Sequence, residues 1–222
     1  MNFGTGKEYS QLNELSRLFK KFNILEEYNK YPDDIGIPLS EIRKLNYEDL
    51  WIQYFSTNSY HFHLNDDSLF FFNFGYNSFL YISNPMESMS ISDFKLEHGS
   101  DNIASNHTLF PEYEQYLSEC KPKEFPLLIR YDFDEHSYTK GSHPVSHIHF
   151  GFGNKTRIGV ITKLDPESFV YLVIRQLYPL YWKEIIKDND LKRRVTSNKN
   201  SLINIDNNYY NDLDKIEMYL KF

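Results

Sequence analysis

Apolar residues recur at three- and four-residue spacing between Ser10 and Tyr28, at Leu12, Leu15, Leu18, Phe19, Phe22 and Leu25. That stripe predicts an amphipathic helix docked on a core. After Pro32 and Pro38, Ser40 with Glu41 opens a short helical stretch, and Tyr47 to Phe55 another. From Tyr60 the period switches to alternation. Tyr60 to Leu64, Ser68 to Phe74 and Ser78 to Ser83 are short aromatic runs separated by Asn65-Asp66-Asp67 and Gly75-Tyr76-Asn77, the pattern of an antiparallel meander. Pro85 to His107 is rich in Ser and Asn without a clear period and reads as a long irregular connection. Phe110 to Glu119 predicts a short helix, closed by Lys121-Pro122.

Pro126 to Phe133 and Val145 to Phe152 follow as strands joined by a polar segment, and Arg157 to Thr162 as a third after the Gly153-Asn154 turn. Asp165 then offers a helix cap with Pro166 in the first helical position. Phe169, Leu172, Val173, Gln176 and Leu177 continue at helical spacing until Pro179 interrupts them. In the Asn-rich tail, Leu213, Ile216, Met218, Tyr219 and Leu220 predict a terminal helix. The fold class expected is α+β, an antiparallel sheet covered by helices. It forms one domain over residues 1–222, with helical segments up to about residue 56 and from about residue 165.

Composition narrows the function classes. Eighteen Phe and eighteen Tyr supply bulk for a core although hydrophobic residues are only 41% of the chain. A formal charge of -7 and a pI near 5.6 exclude a protein that coats nucleic acid with its whole surface. They leave room for a local basic patch, and Lys187, Lys192, Arg193, Arg194 and Lys199 form one, with Lys192, Arg193 and Arg194 its expected phosphate contacts. The lone Cys120 allows no internal disulfide. No stretch has the roughly 18 apolar residues of a membrane helix. The first residues lack a signal core, so a cytoplasmic location and no membrane partner are expected. Gly4-Thr5-Gly6-Lys7 lacks the strand and loop of a nucleotide motif, Gly-x-Ser-x-Gly is absent, and no cofactor is expected.

The chemistry concentrates in one segment, since four of the eight histidines fall between His136 and His149. On an extended chain His147 and His149 share a face while Ile148, Phe150 and Phe152 fill the other. Three readings stay open. A His-x-His pair can hold a metal, but no carboxylate follows it as cupin-like sites require; only Asp132 or Asp134 could complete the set, and no bound transition metal is expected. Alternatively, His143, His147 and His149 provide acid and base for phosphodiester cleavage without a metal. Arg130 and Arg157 would then stabilise phosphate charge and Asp132 orient an imidazole. Third, the same residues make an ordinary cross-strand hydrogen-bonding network. A second pair, His61-Phe62-His63, is expected to face water while Phe62 and Leu64 face the core.

The run His143-Pro144-Val145-Ser146-His147-Ile148-His149-Phe150-Gly151, with Arg157-Ile158, Leu164-Asp165-Pro166, Phe169, Tyr178-Pro179 and Trp182, resembles an uncharacterised bacterial family of unknown function, DUF2290. The turn from Leu64 to Phe72 is similar to that family's earlier block, and the resemblance spans about Tyr47 to Trp182. It implies a role beside helicases in bacterial antiphage loci, hence a helicase or other ATPase partner, and it implies no reaction. Gly159 departs from the pattern, which has proline there. Two functional classes therefore stand: a nucleic-acid-cleaving subunit, and a non-catalytic adaptor that binds the helicase.

Overall fold

The structure, a computed structural model, describes residues 4–33, 44–98, 106–152, 156–217 and 219–221. Seven strands lie side by side in chain order in one antiparallel sheet, and helices complete an α+β fold. The strands are β1 (Leu25–Tyr28), β2 (Phe62–Leu64), β3 (Leu69–Asn73), β4 (Ser78–Ile82), β5 (Leu128–Phe133), β6 (Ser146–Phe150) and β7 (Thr156–Gly159). The expected meander and histidine-bearing strands are all present. The chain divides into two compact units: Phe19–Phe71 with Tyr81–Leu128, and Met1–Leu18 with Phe72–Leu80 and Ile129–Phe222.

The first unit contains α2 (Tyr47–Ser56), α3 (Ile91–Glu97) and α4 (Asn106–Glu119), after α1 (Gly6–Lys21), which begins in the other unit. α1 stops seven residues before the expected Tyr28. Asn23 adopts φ 55°, its N–H bonds Lys20 O and that of Ile24 bonds Phe19 O, both at 3.0 Å. This left-handed asparagine stop frees Leu25–Tyr28 to pair with β2. The expected helical stretch at Ser40 and Glu41 lies outside the described residues. The segment after Pro85 is more regular than expected. Met86–Glu87 pairs with Lys121–Pro122, and Ser90 caps α3 by accepting the Asp93 N–H, which turns Ile91 and Phe94 inward.

The second unit contains α5 (Pro166–Leu177), α6 (Pro179–Lys187) and α7 (Asn189–Ser201). Asp165 caps α5 through a reciprocal box with Ser168, with Pro166 in its first turn. Phe169, Val170, Val173 and Ile174 are fully buried, whereas Leu172 and Leu177, expected in the core, are half-buried. Phe169 meets Phe79 with ring centroids 5.9 Å apart, and Phe79 meets Tyr131 at 5.4 Å, so α5 covers the sheet face that carries Tyr131. Pro179 opens α6 after Pro166–Leu177 ends. The expected terminal helix is absent among the described residues. Ile203–Asn204 pairs with Thr162–Lys163, and Leu220 N–H bonds Gly159 O at 2.7 Å. Short 3-10 turns between them leave Leu213 and Ile216 exposed. The tail spends its backbone hydrogen bonds on the sheet, and helical side-chain spacing gives no warning of that.

Candidate functional site

β6 is an interior strand of the second unit, and its register decides which side chains meet. Arg130 pairs with His149 and Asp132 with His147 across β5, while Gly159 pairs with His147 and Arg157 with His149 across β7. Directly paired residues point to one side of a sheet, so the face opposite Tyr131 and Ile148 carries Arg130, Asp132, His147, His149 and Arg157 together. His147 and His149 are each only 2% exposed, so the polar face of this strand is enclosed as well as its core face. The core face ends sooner than expected, since Phe150 is half-buried and Phe152 exposed. Gly159 shows one reason for the enclosure. A Cβ there would lie 2.7 Å from the Tyr219 ring, so the missing side chain is the space that Tyr219 fills, beside His147 in register.

Asp132 is the hub. Its Oδ2 lies 3.5 Å from His149 Nε2 and 3.8 Å from His147 Nε2 and accepts from Arg130 Nε at 2.8 Å, while Oδ1 accepts from Ser78 Oγ at 2.7 Å. His147 Nδ1 lies 2.7 Å from Pro144 O. A carbonyl only accepts, so this contact assigns the ring proton to Nδ1 and leaves Nε2 as a bare lone pair toward Asp132. The His147 and His149 rings meet edge to face at 4.8 Å, and His143 packs on His147 at 5.0 Å. His149 Nδ1 is buried without a hydrogen-bond partner among the described residues.

Burial sets the protonation of these rings. It pushes His147 down to about 4, with Asp132 and the Pro144 carbonyl opposing, and His149 down to about 4, reinforced by Arg130 and His147. His143 is lowered too, by burial and Arg157. Near neutral pH the rings are therefore proton acceptors, the form in which an imidazole serves as a base. Three acceptor groups, from Asp132, His147 and His149, lie within 4.8 Å of one another. Around them Arg130 and Asp132 are part-exposed and Arg157 is exposed, giving the cluster a cationic rim that reaches solvent.

The expected basic patch is divided. Lys187 ends α6, while the others sit on α7, where Lys192 and Arg193 line a shallow recess of about 830 Å³ with Asn189, Thr196 and Asn200. Arg193 bonds Asp190, while Arg194 turns inward to bridge Glu14 and Glu167. Arg194 is therefore a structural ion pair rather than a surface phosphate contact.

The His61-Phe62-His63 expectation is overturned in the first unit, where His61 is 3% and His63 0% exposed. Burial pushes His61 down to about 3. His63 Nε2 lies 2.7 Å from Asp67 Oδ1, and Asp67 Oδ2 accepts from Tyr113 OH at 2.7 Å and from Ile91 N–H at 3.1 Å. Asp67 sits at φ 57°, and its carbonyl accepts from Trp51 Nε1. The turn residue Asp67 anchors a buried polar knot on which α2, α3 and α4 close. Asn65-Asp66-Asp67 signalled a turn, but nothing in its spacing marked the third residue as buried.

The chain belongs to the DUF2290 family, described as an uncharacterised conserved protein, whose model matches residues 13–213. No curated protein and no solved structure matches it.

Proposed function

We propose that the face formed by β5, β6 and β7 is a hydrolytic site for phosphodiesters, working in a bacterial antiphage system with a helicase partner. The carrying observation is the convergence of Asp132, His147 and His149 inside a rim of Arg130 and Arg157 on adjacent strands. The bare Nε2 of His147 and the Asp132 carboxylate accept hydrogen bonds from an attacking water and polarise it, and the guanidiniums grip phosphate oxygens as charge builds on them. As the water oxygen bonds to phosphorus, one of its protons passes to His147 Nε2 and the scissile P–O bond breaks; the departing alkoxide takes a proton from solvent, to which His147 then releases its own. The helicase supplies unwound strand to the site; this part of the reading is supported by the family resemblance and not by a contact.

The adaptor reading has its own support in α6, which leaves Leu180 71% and Ile186 48% exposed as candidate contacts for a partner. One experiment separates the two. Wild type and the His147→Ala, His149→Ala double variant are incubated with labelled single- and double-stranded DNA and RNA, alone and with the helicase and ATP. The hydrolytic reading expects cleavage by wild type that falls about 100- to 10,000-fold in the variant. Absence of cleavage of all four substrates, with full defence by the variant, would leave the adaptor.

A further inference from the structure

We propose that Asp132, His147 and His149 bind one divalent first-row transition metal ion, with two imidazole nitrogens and one carboxylate oxygen as ligands. The inference needs only the donor geometry and would stand if the phosphodiester reading fell; an ion there would take up the lone pairs of His147 and Asp132 and would itself polarise the attacking water in their place. It reverses the expectation of a metal-free protein, which rested on the lack of a carboxylate after His149; the carboxylate comes instead from the neighbouring strand.

Three observations point the same way. The donor atoms are already gathered within 4.8 Å, and the two Nε2 atoms stand 3.8 and 3.5 Å from Asp132 Oδ2. Ligands about 2.1 Å from a tetrahedral ion are roughly 3.4 Å apart, so the two carboxylate–imidazole edges need only a small contraction. Next, the Nδ1–H of His147 is held by the Pro144 carbonyl, the outer contact that fixes the tautomer and aims Nε2 in metal-bound histidines. Finally, the lone pair of the buried His147 Nε2 faces the Asp132 carboxylate oxygen 3.8 Å away, a repulsive pairing that a cation between them relieves. Arg130 occupies one lone pair of Oδ2 and Ser78 holds Oδ1, which leaves the second lone pair of Oδ2 for the ion.

Two imidazoles select against magnesium and calcium, which take oxygen ligands, and favour zinc, manganese or iron. Three protein ligands leave at least one position open for water or a substrate oxygen, with Arg157 opposite His149 in register as the nearest arginine on β7.

The test uses untagged full-length protein, stripped with a chelator, dialysed and titrated with Zn²⁺ and separately Mn²⁺ by calorimetry, with melting temperature followed in parallel. Wild type should bind one ion per chain of at least one metal and melt higher with it. Asp132→Asn, nearly isosteric at a part-exposed position, should fold normally, bind at least about tenfold more weakly and lose the thermal shift. His147→Ala should lose binding, and His136→Ala, at an exposed position, should leave stoichiometry and affinity unchanged. The proposal is overturned if wild type takes up neither metal, or if Asp132→Asn and His147→Ala bind as wild type does. Binding without cleavage would retire the phosphodiester reading alone.

Discussion

His147 gives its Nδ1 hydrogen to the Pro144 carbonyl at 2.7 Å, and that contact between residues three apart decides what the strand face can do. With Nδ1 occupied, Nε2 is the atom presented to Asp132 and His149. The sheet register then gathers one carboxylate and two imidazoles, and burial keeps the imidazoles neutral.

Phe169 is fully buried between Phe72 and Phe79 and anchors α5 to the sheet. Phe169→Ala should cost about 3 to 5 kcal/mol of stability, because the neighbouring rings cannot collapse into the space. Denaturant unfolding checks this. Leu172→Ala, at a half-buried position, should cost clearly less.

Asp67→Ala should destabilise the first unit severely. It strands the Ile91 N–H and the His63 ring, each worth about 1 to 3 kcal/mol when buried unpaired, and leaves the Tyr113 hydroxyl dependent on the Met89 carbonyl. It also places alanine at φ 57°. Asp67→Asn keeps one acceptor and tolerates the left-handed backbone, so its melting temperature should fall less than that of the alanine variant.

Asp214 ties the tail to the Tyr138 loop. Burial raises its pKa, but the N–H groups of Gly141 and Asn211 and the Tyr138 hydroxyl outweigh that and hold it below the usual carboxylate value. A carboxylate depressed on folding contributes stability above its unfolded pKa of about 3.9 and loses it as pH falls through the folded value. The tail should therefore stay docked at neutral pH and loosen only below about pH 4. Asp214→Asn should loosen it at neutral pH, read as faster hydrogen exchange at Leu220 and Ile161, whose amides bond Gly159 O and Leu220 O.

The elements whose side chains alternate or repeat were readable from the chain. The meander, β5, β6 and the Asp165 cap of α5 all lie near their expected places, and two-residue alternation put Arg130, Asp132, His147 and His149 on one face. What escaped was set by backbone or by long-range contact. Asn23 ends α1 through a left-handed turn, and the tail pairs with the sheet instead of coiling. His61 and His63 are buried because β2 is covered on both sides, which alternation alone reads as half-exposed. Gly159, where a proline was expected, makes sense only once Tyr219 is seen against it. The tautomer of His147 depends on one carbonyl and is invisible in sequence.

The most direct test of the site is the protonation of His147 itself, read by long-range proton–nitrogen correlation NMR on chelator-treated protein near neutral pH. A proton on Nδ1 and a bare Nε2 are the predicted result, with the bare nitrogen changing its resonance when metal is added. A proton on Nε2, or on both nitrogens, would make His147 a donor to Asp132 in an ordinary hydrogen-bonded network and contradict the account.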